Sequence, residues 1–148
     1  MRVQDVIKSK GNEVITVHED ASIMEAVQIM QGRRIGALVV TTPDGRLRGV
    51  MSEREVVAEV ARHGTKALDK RVRDLTLFAG PVVAPGDSVG SAMKIMTERR
   101  ARHLPVVSGN SVIGLISIGD AVKARLSEKI AENAVLQDIA RWPRAAVA

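Results

Sequence analysis

Apolar positions along this chain follow two rhythms, one helical and one extended, and the two alternate in the same order twice. Val14 to Val17 is a short β-branched run that predicts a strand. Ser22 then offers a helix N-cap, and Ile23, Ala26, Val27 and Met30 follow at helical spacing. Ala37 to Thr41 reads as a buried strand, Pro43-Asp44-Gly45 as a turn, and Leu47 to Met51 as the returning strand. A second helix starts at Ser52 and reaches about His63, where Gly64 is a suitable stop. The order returns as Val82-Val83, a helix from Ser88, strands over Leu104 to Val107 and Val112 to Ile116, and a helix from Ser117. Each unit is β-α-β-β-α, and residues 65–80 connect the two.

The residues echo as well as the pattern. Ser22-Ile23-Met24-Glu25-Ala26 answers Ser88-Val89-Gly90-Ser91-Ala92 at a spacing of 66 residues. Arg33-Arg34-Ile35-Gly36-Ala37 answers Arg100-Ala101-Arg102-His103-Leu104 at a spacing of 67. Gly49-Val50-Met51-Ser52-Glu53-Arg54-Glu55 returns as Gly114-Leu115-Ile116-Ser117-Ile118-Gly119-Asp120 at a spacing of 65. The drift fits a longer turn in the first copy, where Thr42-Pro43-Asp44-Gly45 faces Ser108-Gly109-Asn110. So long a period means two copies of one folded unit rather than a solenoid. A lobe of about 60 residues hides only roughly 60% of its surface when alone, so the copies are expected to pack together.

The last helix overruns its repeat. Val122, Leu126, Ile130 and Ala134 continue a stripe toward Ile139 and Trp142, with Pro143 as the stop. Such a stripe needs a cover. A second subunit, making a homodimer, and folding back on its own repeat are the two candidates.

Composition narrows the classes. The chain has no cysteine, which removes disulfides and thiolate zinc sites. No apolar run approaches ~18 residues and the start carries no apolar signal core, so no membrane span or signal peptide is expected and a cytoplasmic location is. The net charge of +5 raises a nucleic-acid partner. The basic residues are scattered, and one Phe, one Trp and no Tyr leave almost no rings for base stacking. A solvated basic surface with local anion sites is the preferred reading.

The strand-to-helix junction carries the candidate chemistry. Ser52 with Glu55, and Ser117 with Asp120, have the form of a capping box, in which serine and acid satisfy the helix's own N–H groups. The same geometry also suits a nucleotide. The glycine three residues before each serine lets a ligand approach the backbone. The helix N-terminus attracts a phosphate. The carboxylate can accept both hydroxyls of a ribose, each charge-assisted bond worth roughly 1.5–3 kcal/mol. Arg99, Arg100, Arg102 and His103 lie just before the neighbouring strand as candidate phosphate partners.

These residues resemble a tandem pair of cystathionine-β-synthase (CBS) domains, the arrangement called a Bateman module. The resemblance rests on Gly114-x-x-Ser117-x-x-Asp120, on Arg102-His103-Leu104-Pro105-Val106-Val107 and on the duplicated β-α-β-β-α order, and it covers roughly residues 3–126. Stand-alone bacterial CBS pairs carry similar segments. It implies an α/β (α+β) fold of two pseudo-symmetric repeats packed sheet to sheet: repeat 1 over 1–64, a connector over 65–80, repeat 2 over 81–126 and a helical extension over 127–148. It also implies a regulatory adenine-nucleotide ligand (AMP, ADP, ATP or NAD(H), with S-adenosylmethionine also within the family's range), held in clefts between the repeats without a metal, and an unidentified protein target.

By the same resemblance Asp120 holds the ribose and Ser117 contacts phosphate, with Gly114 and Ile116 leading into the junction. Val82, Val83, Leu104 and Pro105 sandwich the adenine, and Arg102 and His103 face the phosphates. In the first copy Ser52 and Glu55 match, with Ile35, Gly36 and Ala37 on the strand, Thr16 and Val17 near the base, and Arg54 as a phosphate partner. Glu55 departs from the family's aspartate, and Ile35-Gly36-Ala37 stands where the second copy has its His-Leu-Pro segment. The Asp120 site is therefore expected to be the better one.

An enzyme is not expected. Ser117, His103 and Asp120 suggest a triad, but a nucleophile elbow needs glycine two before the serine, and that residue is Leu115. There is neither a His-Glu-x-x-His nor a Gly-Lys-Ser/Thr phosphate loop. The sequence points to a nucleotide sensor, with a dimerisation or interaction module of vestigial pockets as the alternative.

Overall fold

The computed structural model describes residues 1–75, 77 and 80–142. Its elements in chain order are α1 (Val3–Ser9), β1 (Thr16–His18), α2 (Ile23–Arg33), β2 (Ala37–Thr41), β3 (Leu47–Ser52), α3 (Glu53–His63), α4 (Val89–Arg99), β4 (His103–Ser108), β5 (Ser111–Ser117) and α5 (Ile118–Arg141). Two 3₁₀ turns, Gly64–Asp69 and Val72–Asp74, lie between the repeats. The fold is α+β and duplicated. Pro143, the expected helix stop, and Thr76, Phe78 and Ala79 of the connector lie outside the described residues.

Local chemistry explains the helix starts. Ser22 accepts the Glu25 N–H at 3.1 Å and Ser88 accepts that of Ser91 at 3.0 Å, so each cap satisfies an orphan donor. Both helices end on an arginine in the left-handed region, Arg34 with φ 55° and Arg100 with φ 53°. That conformation is uncommon outside glycine. The sequence carries no glycine at either place to announce it.

The first repeat forms a three-stranded sheet in the order β1-β2-β3, with β1 parallel and β3 antiparallel to β2. The second, among the described residues, has only β4 and β5 as paired strands. The expected strand at Val82-Val83 is reduced to one bridge, Val83 to Val106, in the place β1 holds in the first repeat. Pro81 and Pro85 flank it and cannot donate to a ladder, which limits pairing to this one residue. The bulge also repeats, between Val40 and Thr41 in one sheet and between Val106 and Val107 in the other.

The register corrects one alignment. Ala37 faces Ser52 across β2 and β3, and His103 faces Ser117 across β4 and β5. The Ile35 N–H reaches Met30 O at 3.0 Å just as that of Ala101 reaches Met96 O at 3.0 Å. The spacing is 66 through this segment, not 67, so Gly36 stands in the place of Arg102 and Ala37 in that of His103. The extra residue sits in the turn after β2, because Thr41 faces Leu47 whereas Val107 faces Val112.

Two cores result. Val17, Ile23, Ala26, Leu38, Val40 and Met51 form the first, with Val72 and Leu75 contributed by the stretch read as a connector. Leu104, Val106, Ile116, Val89, Ala92 and Ala121 form the second, joined by Val3, Val6 and Ile7 of α1. The N-terminal helix thus precedes one repeat and packs into the other. Each fully buried Val, Leu or Ile contributes roughly 1.5–3 kcal/mol relative to exposure, enough to bind so short a helix. The two sheets meet along β3 and β4. Helix α5 runs on for 24 residues to Arg141 without folding back, and Leu126, Ile130, Leu136, Ile139 and Trp142 stand exposed along it. No helix among the described residues is long and apolar enough to cross a membrane.

Candidate functional site

Two clefts open where the repeats meet, and each is lined by residues of both. The larger, about 450 Å³, is bounded by Ser117, Asp120 and Leu115 on one side and by Ile35, Gly36, Ala37, Arg33 and Arg34 on the other, with Lys10, Glu13 and Ile15 along its wall. The smaller, about 190 Å³, sets Ser52, Glu53, Arg54 and Glu55 against Arg100, Ala101, Arg102 and His103. Gly36 and His103 line both, so the clefts adjoin. Small-molecule sites run from about 300 to 1,000 Å³, and of these two clefts the one at Asp120 reaches that range.

This arrangement exchanges partners expected within one repeat. The sequence grouped Asp120 with Arg102 and His103, and Glu55 with Ile35, Gly36 and Ala37. In the structure Asp120 keeps His103 in its cleft but meets Ile35-Gly36-Ala37 in place of Arg102, and Glu55 keeps Gly36 but faces Arg102 and His103 in place of Ile35 and Ala37. The reason is the face-to-face packing: a helix start in one repeat looks onto the strand entry of the other.

Both junctions cap their own helices. The Ser117 N–H donates to Asp120 Oδ2 at 2.9 Å, and Ser117 Oγ accepts the Asp120 N–H at 3.1 Å. Glu55 Oε2 accepts the Ser52 N–H at 2.7 Å and also the Ser52 hydroxyl. The capping reading is therefore correct for both. It leaves chemistry over at Asp120, because Oδ2 takes all of its hydrogen bonds among the described residues and Oδ1 takes none. The side chain keeps 22% of its surface exposed and faces the larger cleft. Lys10 Nζ donates to Asp120 Oδ2 at 2.7 Å and to Leu115 O at 2.9 Å.

Burial alone would raise the Asp120 carboxyl, but the Lys10 hydrogen bond, the Ser117 N–H and the Lys10 charge outweigh it and hold the group below the ordinary aspartate value. His103 moves below its ordinary value chiefly by burial. Asp120 and Glu55 each pull it back up, so this imidazole feels a carboxylate in both clefts. It stays neutral at neutral pH, able to donate from one nitrogen and accept at the other.

Several expected contacts fall elsewhere. Gly114 is covered by Ile7, and a Cβ built there would lie 2.5 Å from Ile7 Cδ1, so it admits α1 rather than a ligand. Leu104, Ile116, Val17 and Val83 are core residues, and Pro105 is buried beside them. Val82 is exposed and Thr16 lines a separate surface depression, so neither borders the two clefts. Lys10, Glu13, Ile15, Arg33 and Arg34 were missed. Arg33 and Glu13 pair at 3.0 Å across the rim. Nothing local in the sequence announces Lys10, whose partner lies 110 residues away. Among the described residues no group of three or more His, Asp or Glu side chains is placed to hold a metal ion.

The serine, histidine and acid do not form a triad. Ser117 Oγ is spent on its helix cap, and among the described residues it makes no hydrogen bond to His103.

The profile of the CBS domain matches residues 3–62 and again residues 72–127. The chain belongs to the CBS-domain family. Its two CBS repeats are 33% identical over 134 residues to the mitochondrial CBS domain-containing protein CBSX3 of Arabidopsis thaliana, covering 85% of this chain and 65% of that one. The chain thus spans just under two thirds of that relative's length. The crystal structure of a CBS-domain containing protein from Agrobacterium tumefaciens superposes with a TM-score of 0.80 at 38% identity, over 84% of this chain and 99% of that one. A CBS domain protein from Pyrobaculum aerophilum, complexed with AMP, superposes with a TM-score of 0.71 at 26% identity, over 81% and 89%.

Proposed function

We propose that the tandem CBS repeats bind an adenine nucleotide as a regulatory ligand in the cleft at Ser117 and Asp120, without catalysing its turnover. The observation that carries this is the Asp120 carboxylate: one oxygen is fixed by Ser117 and Lys10, and the other stands at a cleft of about 450 Å³ with no hydrogen bond among the described residues. A ribose diol presents two donors to such a group. Ile15, Ile35, Gly36 and Ala37 offer an apolar wall for a purine, while the α5 N-terminus and Arg34 favour phosphate. The AMP complex of the Pyrobaculum relative supports the ligand class.

Ligand binding would act by favouring one arrangement of the repeats over another, to the extent that its affinities for the two differ. The α5 stripe supports a second element of the proposal, assembly of two copies. Val122, Leu126 and Ile130 border an open apolar groove of about 610 Å³ along that helix. Light scattering is expected to give a dimer, and Leu126→Glu a monomer; a monomeric wild type would remove this element.

The test of the ligand is a melting series with AMP, ADP, ATP, NAD(H) and S-adenosylmethionine. Ligand at ~100 times its dissociation constant adds roughly 2.7 kcal/mol, or several degrees for a chain of this size. Asp120→Ala should lose the rise relative to its own ligand-free melt. No rise with any adenosyl compound would favour an interaction module with vestigial pockets.

A further inference from the structure

Helix α1 is fixed to the second repeat at several points. Val3, Val6 and Ile7 enter its core, the Val3 N–H donates to Asp87 O at 2.9 Å, and the Gln4 N–H donates to Pro85 O at 2.9 Å. Lys10 caps the end of this helix, its N–H shared between Val6 O and Ile7 O at 3.1 Å. The chain then turns sharply through Gly11 (φ 96°) and Asn12 (φ 57°) before crossing to β1 of the first repeat. Lys10 is therefore held at the crossing point, with its ammonium anchored in the larger cleft by Asp120 Oδ2 and Leu115 O.

An ammonium has three donors and no acceptor. Two are used here, and the third is left over among the described residues. The charge balance of the cleft gives that donor a role. Arg33 is paired with Glu13, and Lys10 with Asp120, while Arg34 makes no ion pair among the described residues. Without Lys10, Asp120 would present an uncompensated negative charge to any ligand whose sugar it held. A 5′-phosphate hangs from that same sugar, so the carboxylate that grips the ribose would repel the phosphate.

We propose that Lys10 is the specificity-determining residue of this site, bridging the sugar-binding carboxylate to the phosphate and so selecting phosphorylated over unphosphorylated adenosine compounds. The inference rests on the nucleotide reading of the cleft. An uncharged nucleoside gains nothing from the ammonium and must share Asp120 with it. An anionic nucleotide gains an attractive partner and is relieved of a repulsive one. Lys10 thus favours the anionic ligand and not the uncharged one, a difference that no purely structural role would produce.

The test is calorimetric titration of the full chain with AMP and with adenosine, on wild type, Lys10→Met and Lys10→Arg. Lys10→Met is expected to weaken AMP by about tenfold or more, the loss of one charge-assisted contact, while adenosine binding stays the same or tightens. Lys10→Arg should retain the preference for AMP. Equal weakening of AMP and adenosine in Lys10→Met, or no change in either, overturns the proposal while leaving the nucleotide site standing. If wild type binds neither compound, the nucleotide reading fails and takes this proposal with it. Should Lys10→Met not fold, Lys10→Gln supplies the same comparison, judged by the same outcomes.

Discussion

Replacing Gly114 with alanine tests how the N-terminal helix is joined to the second CBS repeat. The added Cβ would lie 2.5 Å from Ile7 Cδ1, 3.1 Å from Cγ1 and 3.3 Å from Cγ2. Carbon atoms normally meet at about 3.5–4.0 Å. The terminal Cδ1 can rotate aside, but the two γ carbons are also crowded, and Ile7 is buried in the core. Overpacking of this kind costs about 1–3 kcal/mol. For a chain of this length that is a fall in Tm of roughly 3 °C for each kcal/mol. Ile7→Val, which removes only the nearest carbon, should cost about 0.5–1.5 kcal/mol alone. Together the two changes should cost at least about 0.5 kcal/mol less than their sum, since the second relieves the clash made by the first. Urea or thermal denaturation of the four proteins reads this directly. If Gly114→Ala is neutral, or the two effects simply add, α1 does not lie where the structure puts it.

Two further predictions concern protonation. The Glu59 carboxyl, buried on α3, is held below its ordinary value chiefly by the hydrogen bond from Lys70 at 2.8 Å, against the effect of burial and with help from Lys70, His63 and Arg62 charges. A carboxyl lowered in the folded state stabilises above its unfolded value and loses that contribution as pH falls through the folded one. Glu59→Gln should therefore flatten the acid limb of the stability curve, and an unchanged limb would show that Glu59 is not among the groups responsible. His103 should titrate below the ordinary histidine value in an NMR pH series, and AMP bound beside it should raise that midpoint. A midpoint that ignores the ligand would mean that no phosphate comes near the ring.

The duplicated fold was legible because its signals are local. Ser22, Ser52, Ser88 and Ser117 each cap a helix where the sequence places a cap, and the apolar blocks between them, Val82-Val83 excepted, are strands of the two sheets. What went astray depended on distance or on backbone shape. Arg33-Arg34 was matched to Arg100-Ala101, one residue out of step with its true counterpart Arg99-Arg100, because no glycine marks the left-handed turns at Arg34 and Arg100. Helix α1 has only seven residues, and its packing partner Gly114 lies more than a hundred positions away. The membership of each cleft was only partly assigned, His103 with Asp120 and Gly36 with Glu55, for a similar reason. Periodicity describes one repeat at a time, whereas Asp120 and Gly36 are brought together only by the packing of two.

The account turns on whether the Asp120 carboxylate holds the sugar of an adenine nucleotide. The most direct measurement compares AMP with 2′,3′-dideoxy-AMP by calorimetry on wild type and on Asp120→Ala. Removing the two hydroxyls should weaken binding to wild type by roughly 10- to 100-fold, the loss of charge-assisted bonds worth about 1.5–3 kcal/mol, and should change almost nothing in the variant. Equal affinity of the two ligands for wild type would contradict the account.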